Sequence, residues 1–288
     1  MPRFSIVTIC KGRLEHLRQS LPRALAQPDT EVIVVDYDCP DQTAAVVGRE
    51  FPAARVVKVE DQPLLSVSRA RNLGAAAAQG EWLIFLDADI VVAADFVARL
   101  TPLLAEQGRL YRFAPSKGRA TGIYGSCVMS RADYAASGGY DEAIECYGGE
   151  DNDLYFRLNL AGLTTTILDA DLIDLVVPHD DATRVRFTRY QSKLMHQRVN
   201  SAYLLVKGSL LRQLGADGLS EAQCRQLYDL IRDIVEQARD KPDQPVHFTL
   251  DLPPDPDLGP LPGWDCVRHL VFDLQPKNLV VPDSEDET

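Results

Sequence analysis

Over the first hundred positions, short wholly apolar or β-branched runs alternate with helical periods. Residues 4–9 read as a buried strand, after which Leu14, Leu17, Leu21 and Leu25 fall on one face of a helix. Residues 31–36 predict a second strand, followed by a polar turn around Cys39-Pro40-Asp41 and a helix from about 42 to 50. A third strand is predicted at 55–59. The Ala-rich stretch 66–79 predicts a helix ending at Gly80, and 82–86 is a strand apolar enough to be covered on both faces. This alternation predicts an α/β fold with a mostly parallel sheet flanked by helices. Ligands of such sheets bind beyond the C-terminal ends of the strands, which directs attention to Asp36 and Asp87.

From 122 to 177 the pattern is mixed. A strand-like segment spans 123–130, Gly-rich turns fall at Gly138-Gly139 and Gly148-Gly149, and 151–161 is helical. Residues 184 to about 239 are mostly helical in period. After Lys241 the composition shifts: residues 241–288 hold nine of the 18 prolines and ten acidic against three basic side chains, or −7 of the total charge. Three segments are expected: a main domain at 1–183, a helical extension at 184–240 and a Pro-rich acidic appendage at 241–288. The last six residues, 283–288, are expected to lack structure.

The 288 residues suffice for one large globular domain with an appendage. With 30 Lys+Arg against 42 Asp+Glu, the net charge is −12. That balance, with no basic block, excludes a surface built to neutralise nucleic-acid phosphates or anionic lipid. The chain has no run of the roughly 18–20 apolar residues a bilayer span needs, and no signal-peptide core precedes the first strand. A cytoplasmic, soluble protein is expected. The six cysteines are widely spaced without a Cys-x-x-Cys pair, so neither a disulfide framework nor a zinc cluster is suggested and the thiols are expected reduced.

Asp87-Ala88-Asp89 ends the buried strand. Two carboxylates at i and i+2, where a strand gives way to a turn, can reach one hard divalent cation or divide between a cation and a ribose hydroxyl. The tripeptide alone says little, because a second copy stands at Asp169–Asp171. Context separates the copies: the first follows Ser68-Arg69-Ala70-Arg71-Asn72 and closes a βαβ unit. Gly148-Gly149-Glu150-Asp151 is a flexible turn leading into a helix, which reads equally as an acidic first turn complementing the helix dipole or as a catalytic carboxylate pair. Arg184, Arg186, Arg189, Lys193 and Arg198 make a basic stretch, either a solvated helix face or an element that closes on an anionic ligand. Cys127 and Cys146 read as packing residues.

Taken in order, Ser5-Ile6-Val7-Thr8, Val34-Val35-Asp36, Ser68 to Asn72 and Phe85-Leu86-Asp87-Ala88-Asp89 resemble the nucleotide-sugar domain of family 2-like glycosyltransferases with the GT-A fold. Gly138 to Glu142 and Gly148 to Leu154 resemble the acceptor-side motifs of the galactosyltransferase and N-acetylgalactosaminyltransferase branch, including chondroitin-type polymerases. The resemblance covers roughly residues 3–180. It implies a nucleotide-binding half at about 1–100 and an acceptor half at about 101–183. By resemblance, Thr8 and Arg13 lie beside the nucleotide, Asp36 accepts from uracil, and Arg71 with Asn72 contacts the donor or its diphosphate. Asp87 faces ribose and metal, while Asp89 and His179 bind Mn²⁺ or Mg²⁺. Asp151 is the base that deprotonates a carbohydrate or other hydroxyl acceptor, with Glu150 orienting, and Tyr147 or Tyr140 offers a face for the acceptor ring. The implied donor is a UDP-sugar.

Two rival enzymes fit less well. A sugar nucleotidyltransferase needs a Gly-rich basic loop after the first strand, of which Ile9-Cys10-Lys11-Gly12-Arg13 is a poor version. A dinucleotide-binding dehydrogenase needs Gly-x-Gly-x-x-Gly there, which is missing. A non-catalytic carbohydrate-binding protein on a degenerate transferase fold would have no need of Asp87, Asp89, Asp151 and His179 together.

Overall fold

The computed structural model describes residues 2–104, 108–113, 123–145, 147–178, 185–239, 244–252 and 268–276. Met1–Tyr228 and Asp229–Thr288 form two compact units.

The first unit begins β1 (Phe4–Cys10), α1 (Leu14–Leu25), β2 (Thr30–Tyr37), α2 (Thr43–Glu50), β3 (Arg55–Val59), α3 (Val67–Ala77) and β4 (Trp82–Phe85), as the hydrophobic pattern predicts. It continues through β5 (Ile90–Val92), α4 (Phe96–Leu100), β6 (Arg109–Phe113), β7 (Cys127–Ser130), α5 (Arg131–Ala136), α6 (Glu150–Leu160), β8 (Thr164–Leu168), β9 (Ile173–Val176) and α7 (Lys193–Leu214). A further helix, α8 (Glu221–Gln237), contains the unit boundary.

The seven-stranded sheet runs in the order β3-β2-β1-β4-β7-β6-β8. Its first four strands are parallel, β7 is antiparallel to both neighbours, and β8 returns parallel to β6. β5 and β9 pair separately as an antiparallel ribbon. Because both sheet faces are covered, alternate residues of one strand enter different layers. Ile6, Val34 and Ile84 pack with Leu17 and Leu21 of α1 and with Phe96, while Val7, Ile33 and Phe85 pack with Ala75, Tyr134 and Leu154. Burying each such leucine contributes about 1.5–3 kcal/mol. Ser66 starts α3 by accepting the Arg69 N–H at 3.3 Å, the N-cap role that serine performs well.

The strand expected at 123–130 begins only at Cys127. Before it, the Ser126 N–H closes a turn on the Ile123 carbonyl at 3.0 Å, which delivers Tyr124 and Gly125 to the site described below. The second Asp-Ala-Asp is a local turn: Asp169 accepts the Asp171 N–H at 2.9 Å as cap of the single 3-10 turn Ala170–Leu172. Among the described residues no helix is long and apolar enough to cross a membrane.

In the second unit, β10 (Val246–Leu252) pairs antiparallel with β11 (Arg268–Leu274). Half-buried and exposed positions alternate along both strands, and Phe248 stacks on Phe272 with ring centres 5.3 Å apart. Residues 283–288 lie outside the described residues.

Candidate active site

The sheet order reverses beside β1, with β2 on one side and β4, reached later in the chain, on the other. Strand ends at such a reversal diverge and leave a crevice. Lys11 and Arg13 follow β1 and Asp87, Ala88 and Asp89 follow β4, and all five line a cleft of about 240 Å³. Arg13 and Asp89 form an ion pair across it at 3.6 Å. The turn carrying the carboxylates is held by the Ile90 N–H on the Asp87 carbonyl at 3.1 Å and the Val177 N–H on the Asp89 carbonyl at 2.8 Å.

Arg71 is the centre of the site. Helix α3 projects its guanidinium to Asp87 at 2.9 Å, to Asp151 at 2.5 Å and to Glu150 at 3.4 Å, and its carbon lies 5.0 Å from the ring centre of Tyr140. The side chain is 5% exposed, so these bonds form where water screens little. Space for the cluster depends on Gly125: a β-carbon there would lie 2.9 Å from both the Arg71 guanidinium and the Asp151 carboxylate.

Glu150 and Asp151 open α6, whose N-cap is Gly149 in the left-handed conformation (φ 97°) with no side-chain cap. An acidic first turn at a surface would be stabilised as carboxylate by the helix dipole. Here burial dominates. It raises Asp151 above the ordinary aspartate range, with Asp87 adding to the effect and Arg71 opposing it. Burial, then the neighbouring Asp151, pushes Glu150 up to about 8. Two adjacent carboxyls thus hold a proton near neutrality, as a base that takes one and gives it up requires.

Helix α7 fixes the turn before α6. His196 Nδ1 accepts the Tyr147 N–H at 3.1 Å, and the Asn200 amide donates to the Gly148 carbonyl. Further along, the Lys207 ammonium bridges Asp141 at 2.7 Å and Asp153 at 2.6 Å, while Tyr203 donates to Asp141 at 2.5 Å. Arg157 pairs with Asp153 at 2.7 Å and donates to the carbonyls of Ser137 and Gly139.

Of the residues singled out in the sequence, Arg13, Arg71, Asp87, Asp89, Glu150, Asp151 and Tyr147 meet in the cleft. Thr8, Asp36 and Asn72 are not on its wall. Thr8 is buried within β1, and its hydroxyl has no hydrogen-bond partner among the described residues. Asp36 accepts the N–H of Cys39 at 2.9 Å and of Ala44 at 2.7 Å, fixing the turn after β2. Asn72 accepts from the Tyr134 hydroxyl at 2.5 Å and the Tyr140 N–H at 2.9 Å and donates to Glu142 at 2.8 Å, pinning the 138–142 loop. Tyr140 cannot offer a face to an acceptor. It is 2% exposed, wedged between Arg71 and Phe85. His179, Arg184 and Cys146 lie outside the described residues.

The sequence reading passed over Lys11, Tyr124, Asn152 and Phe187. Tyr124 donates to Asn152 at 2.5 Å, and its ring lies 4.5 Å from the Arg112 guanidinium carbon. Buried Lys11 binds three carbonyls, of Tyr37, Asp38 and Gln62. Only Tyr124-Gly125, a turn dipeptide just before an apolar run, left a readable signal.

A mostly parallel sheet with paired carboxylates at its reversal, faced by a second carboxylate pair from a Gly-Gly turn, places an acidic cleft where α/β sheets of this kind bind their ligands. Residues 5–118 match the family model of glycosyl transferase family 2, and residues 110–180 match that of the N-terminal domain of galactosyltransferase. The chain is a glycosyltransferase with a family 2 domain and the GT-A fold. Among solved structures it resembles TarS residues 1–349 of S. aureus in complex with UDP-GlcNAc. That likeness has TM-score 0.58 and 16% identity, covering 83% of this chain and 74% of that one. It also resembles the mannosyltransferase PcManGT of Pyrobaculum calidifontis in complex with GDP-Man and Mn²⁺, with TM-score 0.54, 16% identity and coverage of 83% and 76%. A search of curated proteins gave no match.

Proposed function

We propose that the chain transfers galactose, N-acetylgalactosamine or a close relative from a UDP-sugar to a hydroxyl acceptor by single displacement with inversion. The observation that carries this reading is one cleft lined by two carboxylate pairs, Asp87 with Asp89 and Glu150 with Asp151, bridged through Arg71. The galactosyltransferase-type match over the acceptor half supports the sugar class, and the UDP-GlcNAc complex of the TarS relative supports the nucleotide.

Among the described residues no group of three ligating side chains is assembled, and two carboxylates, Asp87 and Asp89, are open to a divalent cation. Four carboxylates line the cleft against three basic side chains, Lys11, Arg13 and Arg71, and the Lys11 ammonium is spent on backbone carbonyls. Asp87 and Asp89, two residues apart just after β4, put hard oxygen donors on one turn, which suits Mn²⁺ or Mg²⁺. Asp87 and Asp89 would hold the ion, with His179 a further ligand by resemblance. When bound, it supplies Lewis-acid neutralisation of the leaving diphosphate.

The chain's own residues do the rest. Asp151 removes the proton from the acceptor hydroxyl as its oxygen attacks the anomeric carbon. Glu150 shares that proton, and Arg71 holds the Asp151 carboxylate in place. Tyr147 and Tyr124 give the acceptor side amphipathic rings, the surface sugars pack against.

The test is Asp151→Asn, which keeps size and cannot take the proton. Transfer should fall by roughly 10²–10⁴, while affinity for UDP with Mn²⁺ should change by less than about threefold, or ~0.7 kcal/mol. Near-full transfer by the variant would remove Asp151 as base, and Glu150→Gln should be milder.

A further inference from the structure

The ends of β1 and β2 bring two cysteines into contact. Cys10 closes β1, and Cys39 lies three residues past Asp36, the register partner of Cys10. Cys10 is fully buried, and its sulfur accepts the Thr43 hydroxyl at 3.3 Å. Cys39 is half-buried, and its sulfur accepts the Gly12 N–H at 3.1 Å. Cys39 packs against the core cluster that contains Cys10, each thiol shifts the ionisation of the other, and both are free thiols.

We propose that Cys10 and Cys39 are a redox-modifiable dithiol, with Cys39 the attacking and Cys10 the resolving sulfur, closing to an intramolecular disulfide on meeting a hydroperoxide. The Cys39 thiolate attacks the peroxide, forming an S–O bond as the O–O bond breaks. The departing hydroxide takes a proton and leaves as water. Cys10 sulfur then displaces hydroxide from the Cys39 sulfenic acid, its own thiol proton completing a second water. Two thiols and one peroxide thus give one disulfide and two waters.

The surroundings assign the roles. The Cys10 thiol, with help from Thr43 and the Gly12 N–H, holds Cys39 down at about 6. Cys39 and burial push Cys10 well up, so the proton resides on Cys10. The charged groups around the pair are Lys11, Asp36, which accepts the Cys39 N–H, and Asp41, which accepts the Leu14 N–H. Oxidation would erase the negative charge beside Lys11 and tie the end of β1 to the loop after β2. The part of the cleft wall formed by Lys11 and Arg13 would then respond to redox state.

The test treats the full chain, freed of reductant, with one equivalent of hydrogen peroxide, blocks remaining thiols with N-ethylmaleimide and maps the peptides by mass spectrometry. The expected product joins Cys10 to Cys39 and is reversed by dithiothreitol. In Cys10→Ser the reaction should stop at a Cys39 sulfenic acid that dimedone traps. In the unsubstituted chain at pH 7, Cys39 should react with N-ethylmaleimide more than about tenfold faster than Cys127, since thiolate fraction outweighs the lower nucleophilicity of an acidic thiol. Labelling of Cys39 should fall away below about pH 6. A Cys39 that labels no faster than Cys127, or an oxidised chain without the Cys10–Cys39 link, overturns the assignment.

Discussion

Replacing Arg71 by methionine keeps most of the side-chain volume and removes the guanidinium from Asp87, Asp151 and Glu150. Breaking a buried ion pair by deleting one partner costs about 3–5 kcal/mol, because the other charge is left uncompensated. Asp151 and Glu150 are 12% and 7% exposed and carry that penalty, whereas Asp87, 31% exposed, is partly solvated and adds little. A loss of about 3–4 kcal/mol at pH 7.5 follows. The penalty should depend on pH. Glu150 and Asp151 already have raised values in the wild type, and without Arg71 both rise further. A carboxyl whose folded value lies above its unfolded one contributes stability at low pH and loses it as pH rises. Acidification to pH 5.5 should therefore narrow the gap between variant and wild type to about 1–2 kcal/mol, the part due to packing over Tyr140. Urea denaturation of both proteins at the two pH values, with chelator present, measures this. An equal loss at both would show that Arg71 acts through packing, and the electrostatic account of the site would fail.

Asp89→Ala should weaken Mn²⁺-dependent UDP binding by more than about tenfold, or ~1.4 kcal/mol, while Asp171→Ala in the second Asp-Ala-Asp leaves calorimetric binding unchanged; equal effects would remove Asp89 from the donor site. Lys207→Met strips the shared cation from buried Asp141 and Asp153 and should cost about 3–5 kcal/mol in urea, against little for Leu205→Ala, 60% exposed on the same helix. Because Glu150 is raised to about 8, transfer should climb from pH 6 to about 8.5 as the pair gives up its proton, while thermal stability of the metal-free chain falls from about pH 4.5 to 8; a flat rate profile would contradict the shared proton.

The sheet was legible because the runs forming β1, β2 and β4 are short, rich in β-branched or aromatic residues and bounded by polar or glycine turns, which separates them from buried helix where periodicity alone would not. The site was legible where chemistry coincided with a strand end, as at Asp87 and Asp89, or with a Gly-Gly turn, as at Glu150 and Asp151. It was not legible where function depends on long-range pairing. Nothing near position 71 tells that its guanidinium reaches residues 79 and 80 positions away, nor that Asn72 would be spent on the 138–142 loop. Asp36 shows the opposite failure: its place near the C-terminal end of β2 is that of a ligand contact, yet two backbone N–H groups occupy its oxygens. The start of β7 was missed because Ile123 and Tyr124 read as strand residues, and the close approach of Arg71 and Asp151 to Gly125 leaves no mark in the neighbouring sequence.

Arg71 also changes how the two halves of the site relate. Read from the chain, Asp87 and Asp151 belong to separate halves, 64 positions apart, and a substitution in one should leave the other untouched. In the fold the same guanidinium binds both, through different nitrogens, at 2.9 and 2.5 Å. Whatever draws Asp87 away from Arg71 leaves that cation more fully to Asp151 and favours its ionised form, so loading the donor side should raise the fraction of Asp151 able to accept the acceptor's proton. The effect is reciprocal by linkage. A protonated Asp151 leaves Arg71 more fully to Asp87 and weakens its availability to a cation. Donor binding should therefore tighten, by less than about threefold, with rising pH over the range in which the Glu150–Asp151 pair ionises, and Asp151→Asn, neutral like the protonated acid, should flatten that dependence at the low-pH affinity of wild type.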